Sequence, residues 1–435
     1  MLIMLTILAH GTFDLLHPGH LEHLEQARAM GDRLIVSVTS DQYVTKGPGR
    51  PLVTQEQRMA MIKALRFVDE VYLCDSPSAV PAIEQWRPDV YVRGPDYVAR
   101  KPNMGKLALE RQAVEAYGGR IAFTDGATMS STALINRSNG RVISRTPADI
   151  TAWLDKAAAV KMHLLGEQIV DEYIYAQAEG KSPKENIVTY RRLGSRVFPG
   201  GIRGISNHIQ GLATVSLVNK PADAIMKRRY VIKPFYQKVF STVTRHEVPP
   251  FFIPDAMPSP LLVADYGHGL IRGKTAARNI AERTQWLALM VQSNSLNWGY
   301  NLLTKWPRAD YFVADEAEIR LARSDRWTPI QDLLVEEYTR LHATIGVVTM
   351  GHEGCMVYDG KDMVTIPALA TKVVDRMGAG DAFLAWTAPL AFLGAPIDII
   401  AFVGNVAGGI QVGIVGNEEP VDRQMVNQWV KGLLA

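Results

Sequence analysis

Gly11-Thr-Phe-Asp-Leu-Leu-His-Pro-Gly-His20 follows a continuous apolar run, Leu2 to Ala9, and precedes Leu21 to Met30, where apolar residues recur at helical spacing. The stretch therefore sits at a strand-to-helix turn. At the carboxyl edge of a parallel sheet, such a turn directs backbone N–H groups and a helix N-terminus into the crevice, which favours anions. Gly11 lets the backbone approach a phosphate closely, and Gly19 allows a tight entry into the helix. His17 and His20 are placed to donate hydrogen bonds to a phosphate whose oxygens gain charge during attack, worth roughly 10²–10³ in rate per donor. A metal site or two surface histidines are the plainer readings, and no cysteine lies nearby to complete a tetrahedral ligand set.

The following segments agree with a phosphate site. Gly31 to Asp41 reads as a helix stop, a buried strand and a polar strand end, which completes a βαβ unit. Lys46-Gly-Pro-Gly-Arg-Pro51 is a stiffened loop with two cations, suited to a triphosphate. Glu56-Gln-Arg58 opens the next helix, Pro88 to Tyr97 forms a second strand-to-loop edge, and Ser130-Ser-Thr132 offers hydroxyls. Each alone is ordinary turn or cap chemistry.

In order and spacing, these segments closely resemble the cytidylyltransferase-like nucleotidyltransferases, especially the adenylyltransferase half of bacterial ADP-heptose synthases, over nearly all of residues 5 to 137. The resemblance implies a Rossmann-like α/β fold in which His17 and His20 stabilise the transition state. By position, Lys46 would bind phosphates and Arg58 the triphosphate. Gly11, Thr12, Phe13, Asp14, Asp96, Ser130, Ser131 and Thr132 would line the nucleotide site. Thr124 to Ser130 lacks the arginine of the Arg-Thr-Glu-Gly-Ile-Ser segment found in cytidylyltransferases of glycerol phosphate and choline phosphate. That departure, with the Lys46 loop, tilts the nucleotide from CTP toward ATP.

A chain of 435 residues needs a second domain, because the first unit uses only about a third of it. Turn residues and a capped connecting helix mark residues 138 to 160 as the linker between domains 1–137 and 161–435. Hydrophobic content of 47% with 21% charged residues indicates a soluble globular protein, and a net charge of +3 predicts no nucleic-acid partner. Cys74 and Cys355 cannot form a disulfide framework and point to a reducing compartment. Met1 to Ala9 lacks the length and basic start of a signal peptide, and no apolar run reaches membrane-spanning length, so a cytoplasmic protein without a membrane partner is expected. His10, His163, His208 and His342 have no ligand-spaced companions and read as polar packing residues.

Near the end, Val373-Val-Asp-Arg-Met-Gly-Ala-Gly-Asp381-Ala-Phe brings glycines to the start of an apolar helix, where several N–H groups surround an anion. Asp381 is positioned to take the proton of an alcohol attacking a γ-phosphate. This segment resembles the ribokinase-like sugar kinases, whose other markers occur in order over residues 161 to about 420. The resemblance implies an α/β fold with a small β lid, and Asp171, Gly200, Gly201 and Asn207 as sugar-binding residues. Asp265 to Gly269 would form a loop beside the active site. Asp315 and Glu318 would hold magnesium, while Thr349, Gly351, Gly354, Gly378, Ala379 and Gly380 would bind nucleotide.

Three departures stand out. Asp315 occupies a usual asparagine position, Arg376 replaces a small hydroxyl residue, and the stretch near 218–227 is shortened by several tens of residues. Trp298-Gly-Tyr-Asn301 could wall the site or simply pack. The expected chain is therefore two fused α/β enzymes in the reverse of the order usual for ADP-heptose synthases. One half would phosphorylate a sugar or heptose-like sugar phosphate with ATP. The other would transfer a nucleotidyl group, AMP in preference to CMP, to a sugar 1-phosphate with release of pyrophosphate. A phosphomutase or phosphatase step between them is implied. Mg²⁺ is the expected cofactor, and a homodimer the expected assembly. The alternatives are a CTP-dependent polyol or sugar phosphate cytidylyltransferase, or a transferase whose kinase-like half only senses sugar or dimerises.

Overall fold

The opening apolar run becomes β1 (Thr6–Gly11), in which Ile7, Leu8 and Ala9 are all fully buried. A strand covered on both faces needs no polar alternation, which is why the sequence shows a continuous run. With β2 (Arg33–Thr39), β3 (Glu70–Cys74), β4 (Val90–Arg93) and β5 (Arg120–Phe123), it forms a parallel sheet of order β3-β2-β1-β4-β5. The chain winds outward from β1 to β3 and returns to place β4 on the other side. The crevice above β1 and β4 is therefore the topological switch point, where doubly wound sheets bind ligands. Leu24 and Ala27 of the helix Pro18–Arg28 and Ile62 of the helix Gln55–Lys63 cover one face; Ala82, Ile83 and Val114 pack on the other.

The computed structural model describes residues 4–44, 51–94, 106–125, 143–219, 224–232, 237–244, 247–370 and 372–434. These divide into two units, Met1–Arg141 with Lys431–Ala435, and Val142–Val430. The helix Pro147–Ala157, inside the segment read as a linker, lies within the second unit and buries Ile150, Leu154 and Ala157.

The second unit has an eight-stranded sheet of order β17-β16-β15-β14-β13-β12-β6-β9. Its strands are β6 (Lys161–Gly166), β9 (Thr214–Leu217), β12 (Leu261–Asp265), β13 (Leu287–Val291), β14 (Tyr311–Asp315), β15 (Ile345–Thr349), β16 (Cys355–Tyr358) and β17 (Met363–Ile366). All pairings are parallel up to β15; β16 and β17 add as antiparallel strands. The expected lid is a separate sheet of order β11-β10-β7-β8, built from β7 (Gln168–Lys181), β8 (Val188–Gly201), β10 (Ile225–Ile232) and β11 (Gln237–Val243). β9 ends at Leu217 in the main sheet, and β10 begins at Ile225 in the lid. The helices Ala379–Phe392 and Ile397–Gln411 are apolar almost all round because they are buried, as their sequence requires. They pack so closely that a Cβ on Gly404 would come within 2.5 Å of the Phe383 ring.

Candidate functional site

In the first unit the motif lies where its flanks put it. His17 is the N-cap residue of the helix Pro18–Arg28, and Pro18 opens the first turn because its missing N–H costs nothing there. One helical turn brings the His17 and His20 rings into a stack with centroids 3.7 Å apart, and the Phe13 ring stands edge-on to His20 at 5.2 Å. Phe13 reaches this place through a left-handed backbone, φ 52°, and its ring fills the space beside Gly11, where a Cβ would come within 2.9 Å. Buried Asp14 accepts the Leu52 and Val53 N–H groups at 2.6 and 3.2 Å, so it fastens the returning loop.

Arg58 differs from the expectation that it touches the triphosphate. It is fully buried, and its guanidinium donates to the carbonyls of Thr12, Val53 and Thr39 and to the Asp41 carboxylate. Engaged by three carbonyls and one carboxylate, it braces the motif from beneath. Lys46, Asp96, Ser130, Ser131 and Thr132 lie outside the described residues. The described end of the Thr124 segment is anchored to the first helix, where His23 Nδ1 meets Thr124 Oγ1 at 2.8 Å and Asp125 N donates to Gln26 Oε1 at 3.0 Å. Among residues not singled out by sequence, Arg93 donates to the His10 carbonyl at 3.2 Å and pairs with buried Glu110 at 3.2 Å, tying β4 to β1 at the switch point. His10 meets Ser37 at 3.0 Å, and His163 meets Ser216 at 2.9 Å; His208 accepts the Val421 N–H at 3.0 Å. These three histidines are polar packing residues.

In the second unit most of the expected residues converge. A cavity of about 310 Å³ is lined by Asp171, Gly200, Gly201, Asp315, Glu318, Thr349, Gly378, Gly380 and Asp381. Beside it, a second cavity of about 400 Å³ is lined by Thr349, Gly351, Gly354, Ala379 and Gly380, with Leu369, Val373, Phe383 and Val412 supplying apolar wall. The first suits a polar acceptor and the second a flat base. Gly200 is required by Asp171, since a Cβ there would come 2.6 Å from its Oδ2. Asp171 itself, on β7, forms an ion pair with Arg229 of β10.

Asn207 does not line either cavity; it is half-buried on the helix Ile202–Gln210. The asparagine that does is Asn417, whose Nδ2 donates to the Pro199 carbonyl at 2.7 Å. Trp298 and Tyr300 are exposed, whereas Asn301 is buried and donates to the Asp265 carbonyl at 2.9 Å, and this stretch lines neither cavity.

Asp381 is buried, and burial pushes its carboxyl up to about 6, against the opposing pull of the Tyr266 hydroxyl and Lys227. Tyr266 Oη donates to Asp381 Oδ1 at 3.0 Å, a contact spanning 115 residues of sequence. Glu318 is pushed up to about 8 by burial and by Asp315. Asp315 and Glu318 also make a capping box, each side chain accepting the other's backbone N–H, at 2.7 and 2.9 Å. The pair fits magnesium carried in by a nucleotide: the ion needs few protein ligands, and a cation would relieve the cost of charging two buried carboxylates. Among the described residues no cluster of three or more His, Cys, Asp or Glu side chains could hold a metal.

Two further carboxylates hold the cavity's frame. Glu167, between β6 and β7, accepts N–H groups of Tyr266, His268 and Leu270 at 3.0, 3.0 and 3.3 Å. Burial and Asp265 push it up to about 7. Asp375, at the head of the glycine loop, accepts the Tyr173 hydroxyl from β7 at 2.6 Å, Lys238 from β11 at 2.6 Å and the Gly416 N–H at 3.0 Å.

Residues 8–137 match the cytidylyltransferase-like family, and residues 275–423 match the pfkB family of carbohydrate kinases. The chain joins a nucleotidyltransferase-like domain to a carbohydrate kinase domain. The cytidylyltransferase-like domain is 42% identical over 131 residues to bifunctional protein HldE of Pseudomonas paraeruginosa, covering 30% of this chain and 26% of that protein. It is 36% identical over 121 residues to bifunctional protein HldE of Syntrophotalea carbinolica, covering 27% and 24% respectively. The chain thus spans about a quarter of the length of the curated relatives it matches. The pfkB domain shares its fold with phosphofructokinase-2 from Escherichia coli, at a TM-score of 0.50 and 12% identity, over 63% of this chain and 99% of that one. The ribokinase-like architecture expected from the glycine loop is therefore the one the second unit adopts, and no helix among the described residues is long and apolar enough to cross a membrane.

Proposed function

We propose that this chain activates a sugar in two reactions, one per domain. In the kinase domain, a sugar or heptose-like sugar phosphate occupies the polar cavity and ATP the apolar one. Asp381 takes the proton of the attacking hydroxyl; the new O–P bond forms at the γ-phosphorus, and ADP leaves. Asp315 and Glu318 would hold magnesium, which supplies charge neutralisation on the phosphate oxygens. In the first domain, a sugar 1-phosphate oxygen attacks the nucleotide α-phosphorus, pyrophosphate departs, and His17 and His20 donate to the oxygens that gain charge. AMP is the favoured group over CMP.

The observation that carries the kinase half is the pair of adjoining cavities with Asp381 in the acceptor side. It outweighs the non-catalytic reading suggested by the short β9-to-β10 passage, because the residues that passage omits leave the polar cavity lined and its base in place. For the transferase half, the support is the stacked histidine pair at the switch point, within the stretch similar to the HldE proteins.

The test is a panel of sugars, sugar phosphates and sugar 1-phosphates offered to the full chain with ATP or CTP and magnesium, reading ADP and pyrophosphate separately. Sugar-dependent ADP and ATP-dependent pyrophosphate are expected. Pyrophosphate release only with CTP would replace the adenylyl assignment, and absence of ADP formation across the panel would remove the kinase half.

A further inference from the structure

The two cavities of the kinase domain share three lining residues, Thr349, Arg376 and Gly380. A nucleotide whose base lies in the apolar cavity must pass its phosphates through that junction to reach Asp381. We propose that Arg376 is the γ-phosphate-binding residue of this domain, an arginine supplied from within the chain to the group being transferred. This rests on the kinase reading above only for which cavity takes the nucleotide.

Charge and commitment single out Arg376. Three cations line the cavities: Lys227, Arg229 and Arg376. Arg229 is paired with Asp171, and Lys227 is half-buried, with Glu167 and Asp381 as its electrostatic neighbours. Arg376 is exposed and makes no ion pair or side-chain hydrogen bond among the described residues. Asp315, Glu318 and Asp381 crowd the same cavity with acidic groups, so a polyanion entering it meets repulsion unless a cation faces it.

The backbone is built to hold that cation in place. Asp375 is fixed by Tyr173, Lys238 and Gly416, and its carboxylate also accepts the Met377 N–H at 3.1 Å. On the other side Gly378 turns with φ +80° into the buried helix. Arg376 is thus a long side chain on an anchored stem. Its planar fork suits two phosphate oxygens, and it offsets charge as the bond to the leaving ADP oxygen breaks and the bond to the acceptor oxygen forms.

The experiment compares wild type, Arg376→Thr and Arg376→Lys as full-length protein. Binding of ATP and of ADP is measured by calorimetry in excess magnesium and resolved into two nucleotide sites, the first domain's being common to all three proteins, alongside sugar-dependent ADP formation and thermal melting. At the kinase site, wild type should bind ATP more tightly than ADP. Arg376→Thr should lose that preference, weakening ATP about 10- to 100-fold while ADP changes little. Its kcat should fall by about 10³-fold or more, the lower end for arginines that serve phosphoryl transfer, with the acceptor KM nearly constant. Arg376→Lys should keep part of the preference for ATP.

A wild-type protein that binds ATP and ADP equally, or an Arg376→Thr variant that melts normally and keeps the preference, overturns the assignment. So does a raised acceptor KM with the ATP preference intact, since the arginine would then serve the acceptor. Loss of the preference in Arg376→Thr, with no acceptor phosphorylated by wild type, would uphold the γ-phosphate contact while removing the kinase reading.

Discussion

Replacing Tyr266 with phenylalanine removes one hydroxyl and should move the acid limb of the kinase reaction upward. Burial raises the Asp381 carboxyl to about 6, and the Tyr266 hydroxyl at 3.0 Å pulls against that rise by favouring the charged form. A base must be ionised to accept a proton, so wild-type activity should be lost as pH falls through about 6. A hydrogen bond to a charged group contributes about 1.5–3 kcal/mol, which at 1.36 kcal/mol per unit moves the limb up by about 1–2 units in the variant. The ionised fraction at pH 7 would then fall from about nine-tenths to between about a half and a tenth, slowing turnover there by about 2- to 10-fold. Above about pH 9 the two rates should converge. The assay is kcat for sugar-dependent ADP formation between about pH 5 and 9.5, with melting curves as a control on folding. A limb that stays near its wild-type position, or a deficit equal at every pH, would show that Tyr266 does not act through the Asp381 proton.

Asp381→Asn keeps the shape and removes the acceptor charge, so phosphorylation should drop by roughly 10²–10⁴-fold. Pyrophosphate release in the same preparation should be unchanged; full kinase activity would take Asp381 out of the mechanism. His17→Ala and His20→Ala should each lower the transferase kcat by roughly 10²-fold or more with little change in nucleotide KM. A raised KM at constant kcat would mark them as ground-state contacts. Arg58→Met should destabilise the first unit by roughly 2–4 kcal/mol in urea unfolding, because it strips the hydrogen bonds from three carbonyls; normal unfolding with lost nucleotide affinity would return Arg58 to the triphosphate.

Local chemistry was readable from sequence wherever the chain had one way to satisfy it. The β1 run, the proline after His17 and the glycine loop before Asp381 each announce a strand, a helix entry or an anion-facing turn through short-range constraints. Contacts between distant segments left no such trace. Tyr266 meets Asp381 only because β12 and the helix Ala379–Phe392 end at the same edge. Asn417, rather than Asn207, faces the cavity because the chain after Gln411 turns back toward Pro199, and no spacing rule encodes that return. The resemblance assigns Arg58 to the triphosphate, and only the packing of carbonyls around it reveals a brace. The lid follows from the resemblance alone, and its register depends on pairings between strands far apart in the chain.

Asp375 makes the lid and the glycine loop parts of a single linkage. Its carboxylate is gripped from β7 by Tyr173 and from β11 by Lys238, while its backbone leads directly to Arg376 and Gly378. Moving the lid sheet away from the cavity must either stretch both grips or draw the loop along with it. On the proposed reading, the sheet that would cover the sugar is geared to the turn that would meet the phosphates, so the latch on one cavity sets the tension on the other.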